Sequence, residues 1–253
     1  MKIDVSTMES TIDVKRVKAR IRGRIWSLLE QTNSAAFPRP VLGRIPNFKG
    51  ADRAAKQTAT LREWQSAEVI KANPDSPQYY LRLQALLEGK LVVMASPKLQ
   101  NGFILVNPFK IPPDKYSRAA TISGSFKYGG FVKLREIPKI DVVVTGCVAV
   151  DRRGARLGKG GGFSELEYGI LKELRLVDED TPILTTVHDL QVVDDTVPIE
   201  VHDLTVDFYA TPTRLVKTSG GKYRPQGVYW ELLTPSLRSL GVIRELIALR
   251  GYK

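Results

Sequence analysis

Residues 141–163, DVVVTGCVAVDRRGARLGKGGGF, join an apolar run to a basic loop that contains five glycines. The run from Asp141 to Val150 is rich in β-branched residues, which is typical of a strand buried on both faces. Four further segments have the same character: Leu91–Ala95, Phe103–Val106, Pro182–Val187 and Leu204–Tyr209. Because helical segments lie between such runs, the sequence predicts an α/β fold of three layers, with a mainly parallel sheet and helices on both faces.

Apolar residues at helical spacing predict the helices around this sheet. The segment Val14–Glu30 has an apolar stripe, and six of its first eleven residues are basic. Four more helices are expected, at Asp52–Ala72, Gln78–Glu88, Phe163–Leu176 and Pro235–Leu249. We therefore expect a single domain over residues 1–253 with helical extensions at both ends: a basic N-terminal helix at 13–30, a sheet core at 91–212 and a basic C-terminal extension at 213–253.

Composition limits the class of protein. The 253 residues include 38 Lys and Arg against 27 Asp and Glu, so the formal net charge is +11, which favours a polyanionic or phosphorylated ligand. The single cysteine, Cys147, lies in an apolar run and is expected to be a buried, unreactive thiol. No apolar stretch reaches the ~18 residues of a membrane span, and the N-terminus lacks the apolar core of a signal peptide. A soluble, cytoplasmic protein without membrane contact is expected.

The loop from Gly154 to Gly162 carries the chemistry, because it leaves the best-defined strand and enters a helix. In an open parallel sheet, ligands bind beyond the carboxyl ends of the strands, which is where such a loop lies. Glycines let backbone amides face a ligand, and the helix start adds the positive end of its dipole. Arg156 and Lys159 add full charges. This combination predicts phosphate binding.

Several common motifs are absent from the sequence. Gly154 and Gly158 enclose three residues where a Walker loop needs four, and Phe163 stands where a dinucleotide fingerprint needs its third glycine. The two histidines, His188 and His202, each precede an aspartate, but they are too few for a dinuclear histidine–aspartate hydrolase. No Gly-x-Ser-x-Gly segment offers a serine nucleophile.

Three sequence features match a known family pattern. Asp151 is followed by GARLGKGGGFSE at 154–165. Lys18 and Arg22 lie four residues apart in the predicted N-terminal helix, and a Val-Asp pair ends at Asp207. In these features the chain resembles the 5-formyltetrahydrofolate cyclo-ligases (methenyltetrahydrofolate synthetases). Their signature is an acidic residue, then Gly-x-Arg-Leu-Gly-Arg/Lys-Gly-x-Gly-Tyr-Tyr-Asp, with Lys-x-x-x-Arg in the first helix. The segments IPNFKGAD at 45–52 and QGVYW at 226–230 resemble the divergent branch, the methenyltetrahydrofolate synthetase domain-containing proteins.

The resemblance implies a fold of the cyclo-ligase, or NagB/RpiA/CoA-transferase-like, type and an ATP-dependent reaction. 5-Formyltetrahydrofolate would be closed to 5,10-methenyltetrahydrofolate with release of ADP and phosphate. The residues expected to bind ATP are Lys18, Arg22, Arg156, Gly158, Lys159, Gly160, Gly161 and Gly162. Arg156 and Lys159 would also be catalytic, and Glu165 and Asp207 would hold Mg²⁺. Asp52 would face the folate or cap its helix, of which we favour the cap.

Two alternatives to this enzyme remain. The family's Tyr-Tyr-Asp is Phe-Ser-Glu at 163–165, so a catalytically altered member that binds a nucleotide or folate is the first. The second is a nucleic-acid-binding protein, because Tyr223, Tyr229 and Trp230 lie near basic residues of the tail. Packing of these aromatic residues onto the domain is the interpretation we favour. Steep salt dependence would indicate nucleic acid, whereas an ATP site would depend on magnesium and compete with ADP.

Overall fold

Helices and strands alternate through residues 5–251, the part of the chain whose backbone the computed structural model describes; side chains are described from residue 13. The α-helices in this range are α1 (Val5–Gln31), α2 (Ala51–Thr58), α3 (Arg62–Ser66), α4 (Tyr79–Leu87), α5 (Tyr116–Ala119), α6 (Ile122–Tyr128), α7 (Phe163–Glu173), α8 (Pro235–Arg238) and α9 (Gly241–Gly251). None of them is both long enough and apolar enough to cross a bilayer.

The strands assemble into two sheets. They are β1 (Val69–Ala72), β2 (Leu91–Ala95), β3 (Phe103–Val106), β4 (Gly130–Val132), β5 (Val142–Val144), β6 (Ala149–Asp151), β7 (Arg156–Leu157), β8 (Ile183–Thr186), β9 (Val192–Val193), β10 (Phe208–Ala210) and β11 (Leu215–Lys217). The main sheet has the order β11-β10-β8-β5-β1-β2-β3-β4, and the small sheet has the order β7-β6-β9. In the main sheet β10, β8, β5, β1 and β2 pair in parallel, whereas the pairs β10–β11, β2–β3 and β3–β4 are antiparallel. The mainly parallel sheet is confirmed.

Helices cover both faces of the main sheet. Successive residues of a strand point to opposite faces, so each buried strand supplies two cores. Val69 and Val143 pack in one core with residues of α7 and α9. Ile70 and Val142 pack in the other core with residues of α2, α3, α4 and α5. A third cluster joins the apolar stripe of α1 to the small sheet. The three-layer α/β prediction is therefore confirmed.

The helix predicted at Asp52–Ala72 is wrong. The chain forms the short helices α2 and α3 and then β1, which lies between β5 and β2 in the middle of the sheet. The sequence did not indicate this strand because its four residues include Lys71, and lysine is usually a surface residue. All four are buried, and Lys71 pairs with Glu167 of α7 inside the protein.

The single strand predicted at Asp141–Val150 is two strands in different sheets, β5 and β6. Gly146 lies in the break, where a Cβ would approach within 2.8 Å of Gln78 Oε1. The strand expected at Leu204–Tyr209 is reduced to β10, which begins at Phe208. The main sheet also extends beyond the expected 91–212 core, because β1 precedes that range and β11 follows it.

Residues 213–251 of the basic extension join the main fold rather than standing apart from it. β11 pairs with β10 as an edge strand. The helix predicted at Pro235–Leu249 is divided into α8 and α9, and α9 buries Val242, Ile243 and Leu246 in the core that contains α7. In the N-terminal half, the helix predicted at Gln78–Glu88 agrees with α4, and Gly89 follows it with φ 77°.

Candidate functional site

The glycine loop lies at the carboxyl edge of the main sheet. β6 and β7 form a hairpin, and residues 158–162 connect β7 to α7. Lys159 Nζ lies 3.4 Å from Oδ1 of Asp75, which follows β1. Arg156 donates to the carbonyl oxygen of Gly146, which follows β5, at 3.3 Å. Because β1 and β5 are parallel, both contacts are made at the edge where open α/β sheets bind their ligands.

The backbone of the loop has the conformation that its glycines predict. Gly160 and Gly162 have φ values of 101° and 67°, in the region that glycine adopts without strain. Gly162 is the N-cap of α7, a helix of 11 residues, and residues 159–162 are exposed. Exposed residues at the start of this helix, where backbone N–H groups have no partner within the helix, make the loop chemically suited to an anion.

Arg22 of α1 contacts the loop directly. Its Nε donates to the carbonyl oxygen of Gly158 at 2.7 Å, and its Cζ lies 3.9 Å from the position of a Cβ on Gly160. Burial lowers the pKa of the Arg22 guanidinium, whereas the carboxylates of Asp203, Glu165 and Glu200 act in the opposite direction. The structure thus brings Arg22, predicted from a distant segment, to the loop that carries Lys159.

Arg156 forms a buried ion pair with an acid of α7. Its side chain is fully buried and donates to the carboxylate of Glu165, in the first turn of α7. Its Nε has no hydrogen-bond partner among the residues that the structure describes. The carboxylate expected to hold magnesium therefore pairs with the arginine expected to bind ATP.

Lys18 is also paired with acids, on the face of α1 next to Arg22. Its Nζ donates to Glu200 at 2.7 Å and to Asp203 at 2.5 Å, and the side chain is only 7% exposed. The ligand atoms of these two acids and His202 all lie within 4.8 Å of one another. The Lys18 ammonium supplies one positive charge beside these two carboxylates. That His202 and Asp203 do not form a metal centre stays a prediction.

Asp207 follows Val206, whose N–H donates to the carbonyl oxygen of Gly154 at 2.9 Å, but its carboxylate is bound away from residues 158–162. It directly precedes β10, and its Oδ2 accepts from the backbone N–H of Ile183, the first residue of β8, and from Arg224 at 2.7 Å. These contacts place Asp207 at the amino edge of the sheet, about 10 Å of strand length from the carboxyl edge. Glu165 and Asp207 are therefore not brought together, and the pair predicted to hold one Mg²⁺ does not fit that ion.

Asp52 does not cap its helix. Gly50 is the N-cap of α2, and no side chain provides a capping hydrogen bond there. Asp52 is the second residue of α2, where it is exposed and its charge lies near the positive end of the helix. The cap prediction is wrong, and contact between Asp52 and a folate stays a prediction.

A buried polar network under the loop was not predicted. Lys71 Nζ donates to Glu167 at 2.5 Å and to Asn73 at 2.9 Å, and Asn73 Nδ2 donates to Ser164 at 3.0 Å. Burial raises the pKa of Glu167, although Lys71 opposes the shift. The network ties the first turns of α7 to the carboxyl end of β1. Only the residue types were visible in the sequence, since the β1 half and the α7 half of the network lie more than 90 positions apart.

Some of the aromatic residues of the C-terminal extension pack against the domain. Trp230 Nε1 donates to Glu173 at 3.1 Å, and the Arg250 guanidinium lies 5.0 Å from the Trp230 ring. Tyr229 donates its hydroxyl proton to the carbonyl oxygen of Val201 at 2.9 Å. Tyr223 is 53% exposed. Two of the three aromatic side chains thus hold the tail against the domain.

Two surface clefts lie on the β3–β4 side of the sheet, away from the loop. One, of about 330 Å³, is lined in part by Leu105, Lys110 and Tyr128. The other, of about 200 Å³, lies between β3 and the start of α9. Neither of these two clefts is lined by a residue of the loop. The polar groups, rather than the depth of a cleft, therefore identify the candidate site.

A family model described as the 5-formyltetrahydrofolate cyclo-ligase family matches residues 14–212, which include Arg22, the glycine loop and Asp207. The chain belongs to the 5-formyltetrahydrofolate cyclo-ligase family. The resemblance inferred from the loop motif is confirmed. The match ends at Pro212, so β11, α8 and α9 of this cyclo-ligase family member lie beyond the part that the family model covers.

Individual relatives of this family member agree with the family match. A methenyltetrahydrofolate synthase domain-containing protein of Bos taurus is 41% identical over 237 residues, which are 88% of this chain and 61% of the relative. Its Homo sapiens counterpart is 37% identical over 239 residues, 91% and 61% of the two chains. The chain thus spans about three fifths of the length of these curated relatives. The 5-formyltetrahydrofolate cyclo-ligase of Mycolicibacterium smegmatis is 33% identical over 78 residues, 31% and 37% of the chains.

Among solved structures, the NMR structure of 5,10-methenyltetrahydrofolate synthetase from Aquifex aeolicus is similar to this chain with a TM-score of 0.49. It shares 17% identity and is covered over 95% of its length, against 81% of this chain.

Proposed function

We propose that this protein binds ATP at the glycine loop and closes 5-formyltetrahydrofolate to 5,10-methenyltetrahydrofolate. The observation that carries the proposal is the contact of Arg22 from α1 with Gly158 and Gly160, which flank Lys159 in the loop. It occurs at the sheet edge where ligands bind, in a member of a family named for this reaction.

The described residues suit the phosphate end of ATP. The backbone N–H groups of the exposed residues Gly160 to Gly162 and of the start of α7 would donate hydrogen bonds to phosphate oxygens. Lys159 is 45% exposed, and its contact with Asp75 is long, so its ammonium can turn to a ligand. An arginine keeps its positive charge in proteins, and Arg22 can donate through the guanidinium nitrogens beyond Nε.

The reaction needs charge neutralisation more than covalent chemistry from the protein. The formyl oxygen attacks the γ-phosphorus and ADP leaves; N10 then attacks the activated formyl carbon, loses its proton, and phosphate departs to give the 5,10-methenyl product. Negative charge accumulates on the γ-phosphoryl oxygens in the first step. Lys159 and Arg22 would stabilise that charge, and they would hold the nucleotide in line with the formyl oxygen. Because Glu165 and Asp207 lie at opposite edges of the sheet, no step is assigned to a metal held by that pair.

A direct assay tests the proposal. Purified protein is incubated with ATP, magnesium and 5-formyltetrahydrofolate, and the absorbance of the methenyl product is followed. We expect product that requires ATP. Lys159→Ala should weaken ATP binding about tenfold or more, because it removes a charged hydrogen bond to phosphate. Lys127→Ala, which removes an exposed lysine of α6, is the matched control and should leave ATP affinity unchanged. An unchanged affinity in Lys159→Ala would remove the loop assignment.

A catalytically altered family member is the second candidate, and the loop sequence favours it. Residues 163–165 are Phe-Ser-Glu, so two phenol hydroxyls of the family pattern are replaced. Arg156 is also paired with Glu165 instead of being open to a ligand. Binding of ATP without any methenyl product over a long incubation would support this candidate and exclude the cyclo-ligase reaction.

A further inference from the structure

Positive and negative side chains balance at the candidate phosphate site. The cations are Lys18, Arg22, Arg156 and Lys159, and the carboxylates that pair with or face them are Asp75, Glu165, Glu200 and Asp203. A site that attracts phosphate through its charge would carry a positive surplus. Here the formal charges of the two sets cancel, so a polyphosphate meets a site that is already neutralised by the protein itself.

The most enclosed of these pairs joins Arg156 to Glu165. The Arg156 side chain is fully buried and Glu165 is 17% exposed, so the acid is the partner of this pair that reaches solvent. A carboxylate and a phosphate offer a guanidinium similar pairs of oxygen atoms. Glu165 therefore occupies the position at Arg156 that a phosphate oxygen would need. Arg156 Nε, which is buried and without a partner in the described part of the chain, is a further donor there.

We infer that Glu165 is an internal counter-ion that occupies the anion position at Arg156 and limits polyphosphate affinity until the ligand displaces it. The inference rests on the proposed function, because it names a control on the same site. Displacement breaks a charge-assisted hydrogen bond, and only a ligand that carries several charges replaces it fully. Pyrophosphate and ATP should therefore bind far better than inorganic phosphate.

Titration calorimetry with pyrophosphate in EDTA tests the inference on the full chain. The variant is Glu165→Gln, which keeps a side-chain oxygen for Arg156 and removes the competing charge. The matched control is Glu179→Gln, which removes the same charge from an exposed pair with Lys172. We expect Glu165→Gln to bind pyrophosphate about tenfold more tightly than wild type, which is the effect of one lost charged contact. Glu179→Gln should stay within about twofold.

The melting temperature of Glu165→Gln shows whether this variant is folded, because the substitution leaves Arg156 buried without a counter-charge. Glu165→Asp, which keeps the charge but shortens the side chain by one methylene, should bind with intermediate affinity. Unchanged pyrophosphate affinity in a folded Glu165→Gln overturns the inference while wild-type ATP binding leaves the proposed function intact. Weaker binding in this variant that appears only with magnesium also overturns it, because Glu165 would then be a metal ligand. If neither wild type nor Glu165→Gln binds ATP or pyrophosphate, both proposals are overturned.

Discussion

The buried ion pair between Lys71 of β1 and Glu167 of α7 should be a major determinant of stability. The two side chains are 2% and 4% exposed and lie 2.5 Å apart, so water neither screens nor replaces the contact. Lys71→Met leaves Glu167 as an unpaired buried acid, which costs about 3–5 kcal/mol. In a chain of this size each kcal/mol shifts the melting temperature by about 2–4 °C, so a loss of roughly 10 °C is expected.

A double variant separates the charge pair from simple packing. In Lys71→Met with Glu167→Gln no charge is buried, and the glutamine amide can donate to Asn73 in place of the lysine. Thermal unfolding followed by circular dichroism should show that the second change restores at least half of the lost stability. The matched control is the exposed pair of Lys115 and Asp114, whose removal should cost under about 1 kcal/mol. Additive losses in the double variant would refute the reasoning.

Three further predictions concern single residues. Burial raises the pKa of the Cys147 thiol to about 11, so a thiol reagent at pH 8 should label it only after urea unfolding. Burial lowers the pKa of His188, and its Nδ1 accepts from the N–H of Leu190, so the free energy of unfolding should fall as pH drops below about 6.5. In urea titrations, His188→Asn should reduce this dependence of stability on pH. Gly154 has φ 89°, and a Cβ would lie 2.2 Å from the carbonyl oxygen of Val206, so Gly154→Ala should lower stability by about 2 kcal/mol or more, measured by melting temperature.

The loop and its helix could be predicted because their signals are local. Glycines adopt backbone angles that other residues avoid, and at Gly160 and Gly162 the structure uses that freedom. The following helix begins at Phe163 as expected. Arg22 was also linked to the loop, but through the family motif rather than through any signal in its own helix.

The central strand β1 could not be found in the same way. Its four residues are too few for a periodic pattern, and Lys71 at their centre is normally a surface residue. Its burial depends on Glu167, which is 96 positions away. The acidic partners of Lys18 and Arg156 were missed for the same reason, since a motif gives the identity of a cation but not the carboxylate that the fold brings to it.

The acidic partners of the site's cations limit what the net charge of +11 can explain. Because the four cations of the candidate site are matched by four carboxylates, the surplus positive charge lies elsewhere, for example on the exposed side chains of Lys15, Arg16 and Arg20 of α1. Charges at such positions act at long range and raise the rate at which an anion reaches the protein, and salt screens them. The composition therefore supports attraction of an anionic ligand in general, whereas the assignment of the phosphate position depends on the contact between Arg22 and Gly158.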